Sequence, residues 1–452
     1  MPQNYRGIHL TAQVSKVMER ILSTLFVPRL SRVAFGERQF AYRKGHGARD
    51  ALALYVMRWV YAFNLQRKIA MYCSDVSGAF DRVSADLLLT KLRSFGLHED
   101  ILGVLRSWLR NRPAHVLVSG ARSQAMNLSD MVFQGTVWGP SLWNAFFGDA
   151  AWAIRFADFE LVVYADDLNA FREYPLGTCE TVIVEDLQLC QVELHTWGVA
   201  NQVTFDAAKE HMAILSHHEP FGENFVLLGV EFDARLCMNK AVHNCVVEVG
   251  WKTKTLVRTQ RFHTDADLVN LWKSHILSYI EYRTAAWYHA CETTLASLDR
   301  CLSSFLRSVG VDAVTALMRF NLAPLYARRD IAMLGIIHRA MLRQGPSAFF
   351  AFIRHCPPRA LRHSSRQVRR TCRVAIEHRD RGSKLEMMRR SVLGLVSVYN
   401  LLPESVVLND SVTDFQGALQ RLLKECVSTR GESWFRMFSP RCDFAFHLLR
   451  SL

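Results

Sequence analysis

Two aspartates stand side by side, Asp166 and Asp167, after a short apolar run, Leu161-Val162-Val163-Tyr164-Ala165, and before Leu168-Asn169-Ala170-Phe171. Apolar runs of this length on both sides of a polar pair predict a tight β-hairpin with its carboxylates at the tip. Neighbouring carboxylates repel, so such a tip is destabilised unless positive charge sits beside it. A hard divalent cation is the natural partner, because Mg²⁺ is held by one or two carboxylates with waters and substrate phosphates. A plain surface turn would use the same residues, since Asp is common in turns. A second run, Ile69-Ala70-Met71-Tyr72-Cys73-Ser74, ends in Asp75 and precedes a turn containing Gly78. With the two strands side by side, Asp75 faces Asp166 and the pair can share two metal ions. Two metals about 4 Å apart activate the attacking oxygen and stabilise the leaving one in a displacement at phosphorus. The chemistry this points to is nucleotidyl transfer.

Composition sets the bounds within which such a site must work. The 452 residues exceed one typical domain and allow two or three lobes. Half of them are apolar, the globular norm, which excludes a disordered chain. No uninterrupted apolar run is long enough to span a bilayer, so no membrane partner is expected, and the N-terminus lacks a signal-peptide layout. The 11 cysteines are never spaced Cys-x-x-Cys, which argues for reduced thiols inside a cell rather than a zinc finger or disulfide framework. A formal charge of +13 suits a phosphate-rich partner, although solubility alone would also use it.

Tyr164-Ala165-Asp166-Asp167, with Asp75-x-x-x-x-Phe80-Asp81 upstream, resembles the reverse transcriptases, in the form found in non-LTR (LINE-like) retrotransposons. The resemblance runs from about residue 4 to 235 in the family's motif order. It implies an α+β, right-hand polymerase: fingers over 1–68, palm over 69–249 with a primer-grip-like hairpin, helical thumb over 250–345, and a basic helical extension over 346–452. It further implies that the chain is shortened N-terminally relative to full-length relatives, and nothing in it resembles an endonuclease. Two Mg²⁺ ions, with Mn²⁺ able to substitute, would be held by Asp75, Asp166 and Asp167. Partners would be an RNA template, a DNA primer or nicked target DNA, and dNTPs. The workplace would be intracellular and, by the same resemblance, nuclear.

Residue by residue, the resemblance places Arg6 on the incoming triphosphate, where a guanidinium fork meets phosphate oxygens. The family usually has Arg-Pro-Ile where this chain has Arg6-Gly7-Ile8, and an ordinary surface arginine fits as well. Gln39-Phe40-Ala41-Tyr42-Arg43-Lys44-Gly45-His46-Gly47 resembles the next fingers motif, with Arg43 or Lys44 on template or triphosphate; a solvated turn is the other reading. Val76 and Phe80 would lie against the nucleotide, the Phe80 ring beneath its sugar excluding a 2′-hydroxyl. A core phenylalanine would read the same. Gln134-Gly135, opening a Gln-Gly-x-x-x-Gly-Pro motif, would contact template or nucleotide, and Gly135 lets the chain approach closely. Tyr164 would touch nucleic acid beside the carboxylates. Lys209 would sit near the leaving pyrophosphate as a cation or general acid, unless it belongs to a surface turn. Leu228 and Gly229 would grip the primer end.

Elements that must position these groups are predicted as helices over Ser15–Leu22, Asp50–Asn64, Ser84–Phe95 and Glu99–Asn111. A β-hairpin begins at Ala114, one helix runs from Pro140 through Ile154, another covers Cys179–Val203, and the chain is strongly helical from about Gly250. Residues 351–400 carry 12 Lys or Arg against 3 Asp or Glu. Arg366, Arg369 and Arg370 lie in this tract and would bind nucleic acid through counterion release. A solvated basic face is the commoner meaning of such a run. Two other functions fit the same motifs: an inactive retrotransposon remnant that binds nucleic acid, and an RNA-directed RNA polymerase, against which a bulky Phe80 argues. Oligomeric state cannot be read from the sequence.

Overall fold

In the computed structural model, residues 9–110, 112–128, 131–356, 373–376, 386–430, 434, 436–442 and 447–451 are described. The chain divides into two compact units, Met1–Ala51 with Lys68–Ile214, and Leu52–Arg67 with Leu215–Leu452.

The first unit is a small sheet backed by helices. In chain order it contains α1 (Gln13–Val33), the first turn of α2 (Ala48–Asn64), β1 (Arg67–Ser74), α3 (Ala85–Ser94) and α4 (Glu99–Leu109). Four short strands follow, β2 (Arg112–Ala114), β3 (Leu117–Val118), β4 (Ala121–Arg122) and β5 (Met126–Leu128). Then come α5 (Gly139–Phe147), α6 (Ala150–Phe156), β6 (Glu160–Tyr164), β7 (Asp167–Pro175), α7 (Glu180–Asn201) and β8 (His211–Leu215). The sheet order is β6-β7-β1-β8. In β1 every residue after Arg67 is buried, which is why its apolar run is continuous rather than alternating. The outer edge of β6 is covered by residues 38–40, through a parallel bridge of Gln39 with Val163. Leu88 and Leu92 of α3, Leu102 and Leu105 of α4, Leu142 and Phe146 of α5 and Leu187 of α7 fill one apolar core with the sheet. Local signals start two of these helices: Ser84 Oγ accepts the Leu87 N–H at 3.4 Å, and His98 Nδ1 accepts that of Asp100 at 3.3 Å.

Several element boundaries differ from the sequence expectation. The first helix is longer, running on to Val33 through Pro28. The hairpin from Ala114 is two nested pairs, β2 with β5 and β3 with β4. The single helix expected from Pro140 through Ile154 is two, because the chain breaks at Gly148 and Asp149. A Cβ on Gly148 would come within 2.0 Å of the Ala34 carbonyl oxygen, and the Asp149 carboxylate takes the Lys91 ammonium at 2.7 Å and the Trp197 indole N–H at 3.1 Å. Tertiary contacts at the end of α1 outweigh helical continuity there.

The second unit holds most of α2 and an antiparallel hairpin of β9 (Phe225–Leu227) and β10 (Val230–Phe232). It continues with α8 (Asn239–Arg258), α9 (Asp265–Trp272) and helices over Glu292–Ser308, Ala313–Phe320, Leu325–Met341 and Val412–Arg430. Thr264 and Asp267 form a reciprocal capping box at the start of α9. The extension expected to be helical contains an antiparallel strand pair, Ile353–Cys356 with Arg373–Ile376, where β-branched residues favour extended chain. Arg6, Arg366, Arg369 and Arg370 lie outside the described residues. Among the described residues no single helix is long and apolar enough to cross a membrane, and the cysteines are free thiols.

Candidate active site

The two aspartates that open the sequence argument sit at the tip of the β6–β7 hairpin. Tyr164 and Asp167 make its last rung, so Ala165 and Asp166 are the two loop residues. Ala165 has φ +60°, the left-handed conformation that suits a two-residue hairpin but crowds the Cβ of an L-residue. Three side-chain hydrogen bonds hold it. Gln39 Oε1 accepts the Ala165 N–H at 3.0 Å, Gln39 Nε2 donates to the Ala165 carbonyl at 3.3 Å, and Trp143 Nε1 donates to the same carbonyl at 3.0 Å.

Asp75 follows β1, the sheet neighbour of β7, so the end of one strand meets the start of the other. Its carboxyl shares a hydrogen bond with Asp167. Asp75 also receives the Lys209 ammonium at 2.5 Å, and that ammonium lies 3.5 Å from Asp206. The Lys209 loop is pinned by backbone bonds, Asp206 N–H to the Asp75 carbonyl and Ser77 N–H to the Thr204 carbonyl, each 2.9 Å. Asp167 is pushed up to about 7, first by burial and then by the negative charges of Asp166 and Asp75, with Lys209 working the other way. Lys209 is raised, chiefly by its hydrogen bond to Asp75. That bond holds the proton on the amine, so in this arrangement Lys209 acts as a counter-cation, and release of its proton needs the bond to break.

The donor set suits a hard cation: carboxylate oxygens only, clustered like charges, and one carboxyl that takes a proton for lack of compensation. Among the described residues no three acidic, His or Cys side chains form a ready cage. Mg²⁺ needs none, since it binds through one or two carboxylates and completes its shell with water and substrate phosphates.

The other predicted residues differ in burial and in the partners they find. Phe80 is half-buried, stacked on Trp143 at 5.7 Å between centroids and met edge-on by Tyr42 at 6.4 Å. Tyr42, itself at φ +57° and half-exposed, has its phenol raised by burial and then by the charges of Asp166 and Tyr164. Gln134 and Gly135 are exposed on a loop where Gly135 has φ +92° and a Cβ would come within 3.0 Å of the His9 carbonyl oxygen. Val76 is 3 % exposed and bridges Phe205, so its side chain belongs to the core and only its backbone can serve a ligand. Arg43 turns inward and donates to the Gly36 carbonyl at 2.5 Å, while Lys44 is exposed. Leu228 and Gly229, at φ +48° and +73°, form the β9–β10 turn of the second unit, and the Tyr282 hydroxyl donates to the Leu228 carbonyl at 2.8 Å.

Three supporting residues escaped sequence reasoning. Gln39 and Trp143 hold Ala165. Glu19, 1 % exposed, accepts the backbone N–H of Val137 at 2.7 Å and the Trp108 indole N–H at 3.1 Å, fixing the loop that carries Gln134. A lone Glu on an amphipathic helix and a Gln beside aromatics carry no spacing signal. The only available hint was Gln39's place at the head of the fingers motif.

Carboxylates on adjoining strand ends, with Phe80 and Trp143 stacked in the same unit, are the arrangement expected of a polymerase-type site. Residues 2–232 match the family described as reverse transcriptase (RNA-dependent DNA polymerase). The chain belongs to that family, shares its α+β polymerase fold, and falls among its non-LTR retrotransposon members. Enzymes of this family are generally dependent on a divalent metal. The chain is similar to the RNA-directed DNA polymerase from the mobile element jockey of Drosophila melanogaster, 24% identical over 354 residues, 73% of this chain and 37% of that protein. It is also similar to the probable RNA-directed DNA polymerase from transposon X-element of Drosophila melanogaster, 29% identical over 327 residues, 68% of this chain and 36% of that protein. It thus spans little more than a third of the length of these relatives. Among solved structures, an apo telomerase of Candida tropicalis truncated from its C-terminal domain aligns with a TM-score of 0.36 at 11% identity, covering 49% of this chain and 44% of that one.

Proposed function

We propose that the chain is an RNA-directed DNA polymerase, copying an RNA template into cDNA from a DNA primer or a nicked target strand with dNTPs. The observation that carries this is the junction of Asp75, Asp166 and Asp167 at neighbouring strand ends, where like charges accumulate around a single ammonium. Two Mg²⁺ ions, replaceable by Mn²⁺, would be held by these carboxylates and would supply charge neutralisation at the attacking and leaving oxygens. In the reaction the primer 3′-hydroxyl gives up its proton to solvent as its oxygen bonds to the α-phosphorus, the bond from that phosphorus to the α–β bridging oxygen breaks, and pyrophosphate departs with the electron pair. The protein contributes position and charge rather than covalent chemistry. Phe80, stacked on Trp143, would lie beneath the sugar and exclude a 2′-hydroxyl. Lys209, held on Asp75 here, would supply a cation near the leaving phosphates. Gln134, Gly135 and Lys44, all exposed, would meet template or nucleotide. We extend the reading to action inside the cell nucleus, checked by imaging a tagged chain.

Primer extension on poly-rA with dTTP and Mg²⁺ tests the proposal, with wild type beside Asp166→Ala. A DNA ladder from wild type and none from the variant is the expected result. A folded wild type that gives no ladder but holds RNA in a salt-dependent manner would make the chain a nucleic-acid-binding remnant. Preferential incorporation of ribonucleotides would make it an RNA-directed RNA polymerase.

A further inference from the structure

We infer that Gln39 is a positioning residue for catalysis, whose side-chain amide continues the sheet beyond β6 and thereby sets the aim of Asp166 and Asp167. This deepens the polymerase reading and rests on it. The backbone of residues 38–40 pairs with β6 at Val163, through Val163 N–H to the Arg38 carbonyl at 2.9 Å and Phe40 N–H to the Val163 carbonyl at 2.8 Å. There the backbone ladder stops. Two residues further along, Ala165 has both its N–H and its carbonyl met by the Gln39 side chain, which stands in for the next rung.

The orientation of that amide is determined by its surroundings. Oε1 faces two donors, the N–H groups of Ala165 and Ala41, each at 3.0 Å, whereas Nε2 faces the Ala165 carbonyl. A flipped amide would set its NH₂ against two N–H groups. Gln39 is 4 % exposed and Ala165 6 %, so water cannot replace these bonds. The position matters because Asp166 follows Ala165 directly in the two-residue loop. Its direction depends on the dihedral angles of Ala165, which lie where an L-residue is crowded and a neighbouring group must hold it. Asn144 Nδ2 bonds the Ala41 carbonyl at 3.0 Å and Trp143 bonds the Ala165 carbonyl, so α5 braces both halves of the clamp. The same Trp143 ring underlies Phe80, which ties the carboxylate turn to the floor of the sugar site.

Misplacing a reacting group by about 1 Å can cost roughly 10²-fold in rate. Gln39→Leu keeps the buried volume near its original value and removes both Gln39 bonds to Ala165, leaving the Trp143 bond to its carbonyl in place. Steady-state extension on poly-rA is measured for wild type and variant across a Mg²⁺ series, together with poly-rA binding and thermal unfolding. The expected result is a kcat lower by about 10–100-fold, a higher Mg²⁺ midpoint, poly-rA affinity within twofold of wild type, and a folded protein at assay temperature. In the double variant Gln39→Leu/Ala165→Gly, glycine adopts the left-handed turn without crowding, and kcat recovers several-fold over Gln39→Leu. An active wild type with kcat and Mg²⁺ midpoint unchanged in Gln39→Leu overturns the inference. So does a loss of activity matched by loss of RNA binding and of folded protein, with no rescue by glycine. A wild type that makes no DNA removes the polymerase reading itself, a result separate from either of these.

Discussion

Asp167 in the first unit and Asp330 in the second are both pushed up to about 7, in opposite company. Around Asp167, burial is reinforced by the negative charges of Asp166 and Asp75, and only Lys209 opposes them. Around Asp330, burial acts against the partners that favour the carboxylate: Arg441, the Tyr288 hydroxyl at 2.6 Å and Arg329, with Asp299 the only adverse charge. Asp299 is itself gripped by both arms of Arg329, at 2.8 and 2.9 Å. The second cluster is close to complete as it stands: its charges have been matched within the chain, and its role is to hold helices together. The first is short of positive charge, and what it lacks is what a cation and a triphosphate complex would bring. A carboxylate group that folding leaves uncompensated marks chemistry more reliably than burial or a shifted proton affinity does.

The largest effect that tests this contrast is on rate. Asp166→Asn should lower primer extension by at least roughly 10³-fold, the several kcal/mol that metal binding contributes to an in-line displacement. Removing a like charge should leave the unfolding temperature unchanged or slightly raised. A variant that is both inactive and markedly less stable would mean that the first cluster is structural like the second. Next in size, Arg329→Ala should destabilise the second unit by about 3 kcal/mol, because it strands Asp299 and removes a cation near Asp330. Urea titration measures it. A change under about 0.5 kcal/mol would show that the fork is an idle surface pair.

Asp330 gives a smaller, pH-dependent effect. Its folded value of about 7 lies above the usual unfolded value near 3.9, so the folded state binds the proton more tightly. The stability contributed by that proton is full below about pH 4 and is lost as pH rises through 7. Asp330→Asn removes this dependence, so relative to wild type the variant should gain a few °C in melting temperature on going from pH 5 to pH 8. Burial first, and then the neighbouring Asp330, hold the Tyr288 phenol well above its ordinary value, so it stays neutral over that range.

How far the sequence foretold this contrast differs from residue to residue. Asp75, Asp166 and Asp167 were legible as carboxylates at strand ends because they follow short apolar runs bounded by turn residues. The strand order that brings β1 beside β7 has no local signature, and the meeting of Asp75 with Asp167 rather than with Asp166 alone came from it. The helices expected over Asp50–Asn64, Ser84–Phe95 and Cys179–Val203 are present to within two residues at each end. The expected helix from Pro140 broke at Gly148, because the cause is a backbone approach from Ala34, more than a hundred residues away in sequence. Arg43 reads as a phosphate ligand by charge; in the fold one of its guanidinium nitrogens donates to the Gly36 carbonyl, a contact with no local signature. Gln39 and Glu19 were silent because a buried polar side chain is explained by its partners, and those partners are distant in sequence. Nothing local marked Asp330 and Arg329, which sit mid-helix in Leu325–Met341 and find their partners on other segments.

The smallest predicted effect separates the two clusters most directly. If the first lacks a cation and the second does not, Mg²⁺ should stabilise the protein through the first alone. A ligand that binds only the folded state at about ten times its Kd adds roughly 1.4 kcal/mol, a shift of a few °C for a unit of this size. Thermal unfolding of wild type with and without Mg²⁺, at fixed ionic strength, should show that shift. Asp166→Asn should reduce it or remove it, and Asp330→Asn should leave it intact. Fixed ionic strength matters because general screening acts on both clusters and would raise or lower all three proteins together. A shift retained in Asp166→Asn and lost in Asp330→Asn would reverse the assignment, placing the need for a cation in the cluster whose charges already have partners.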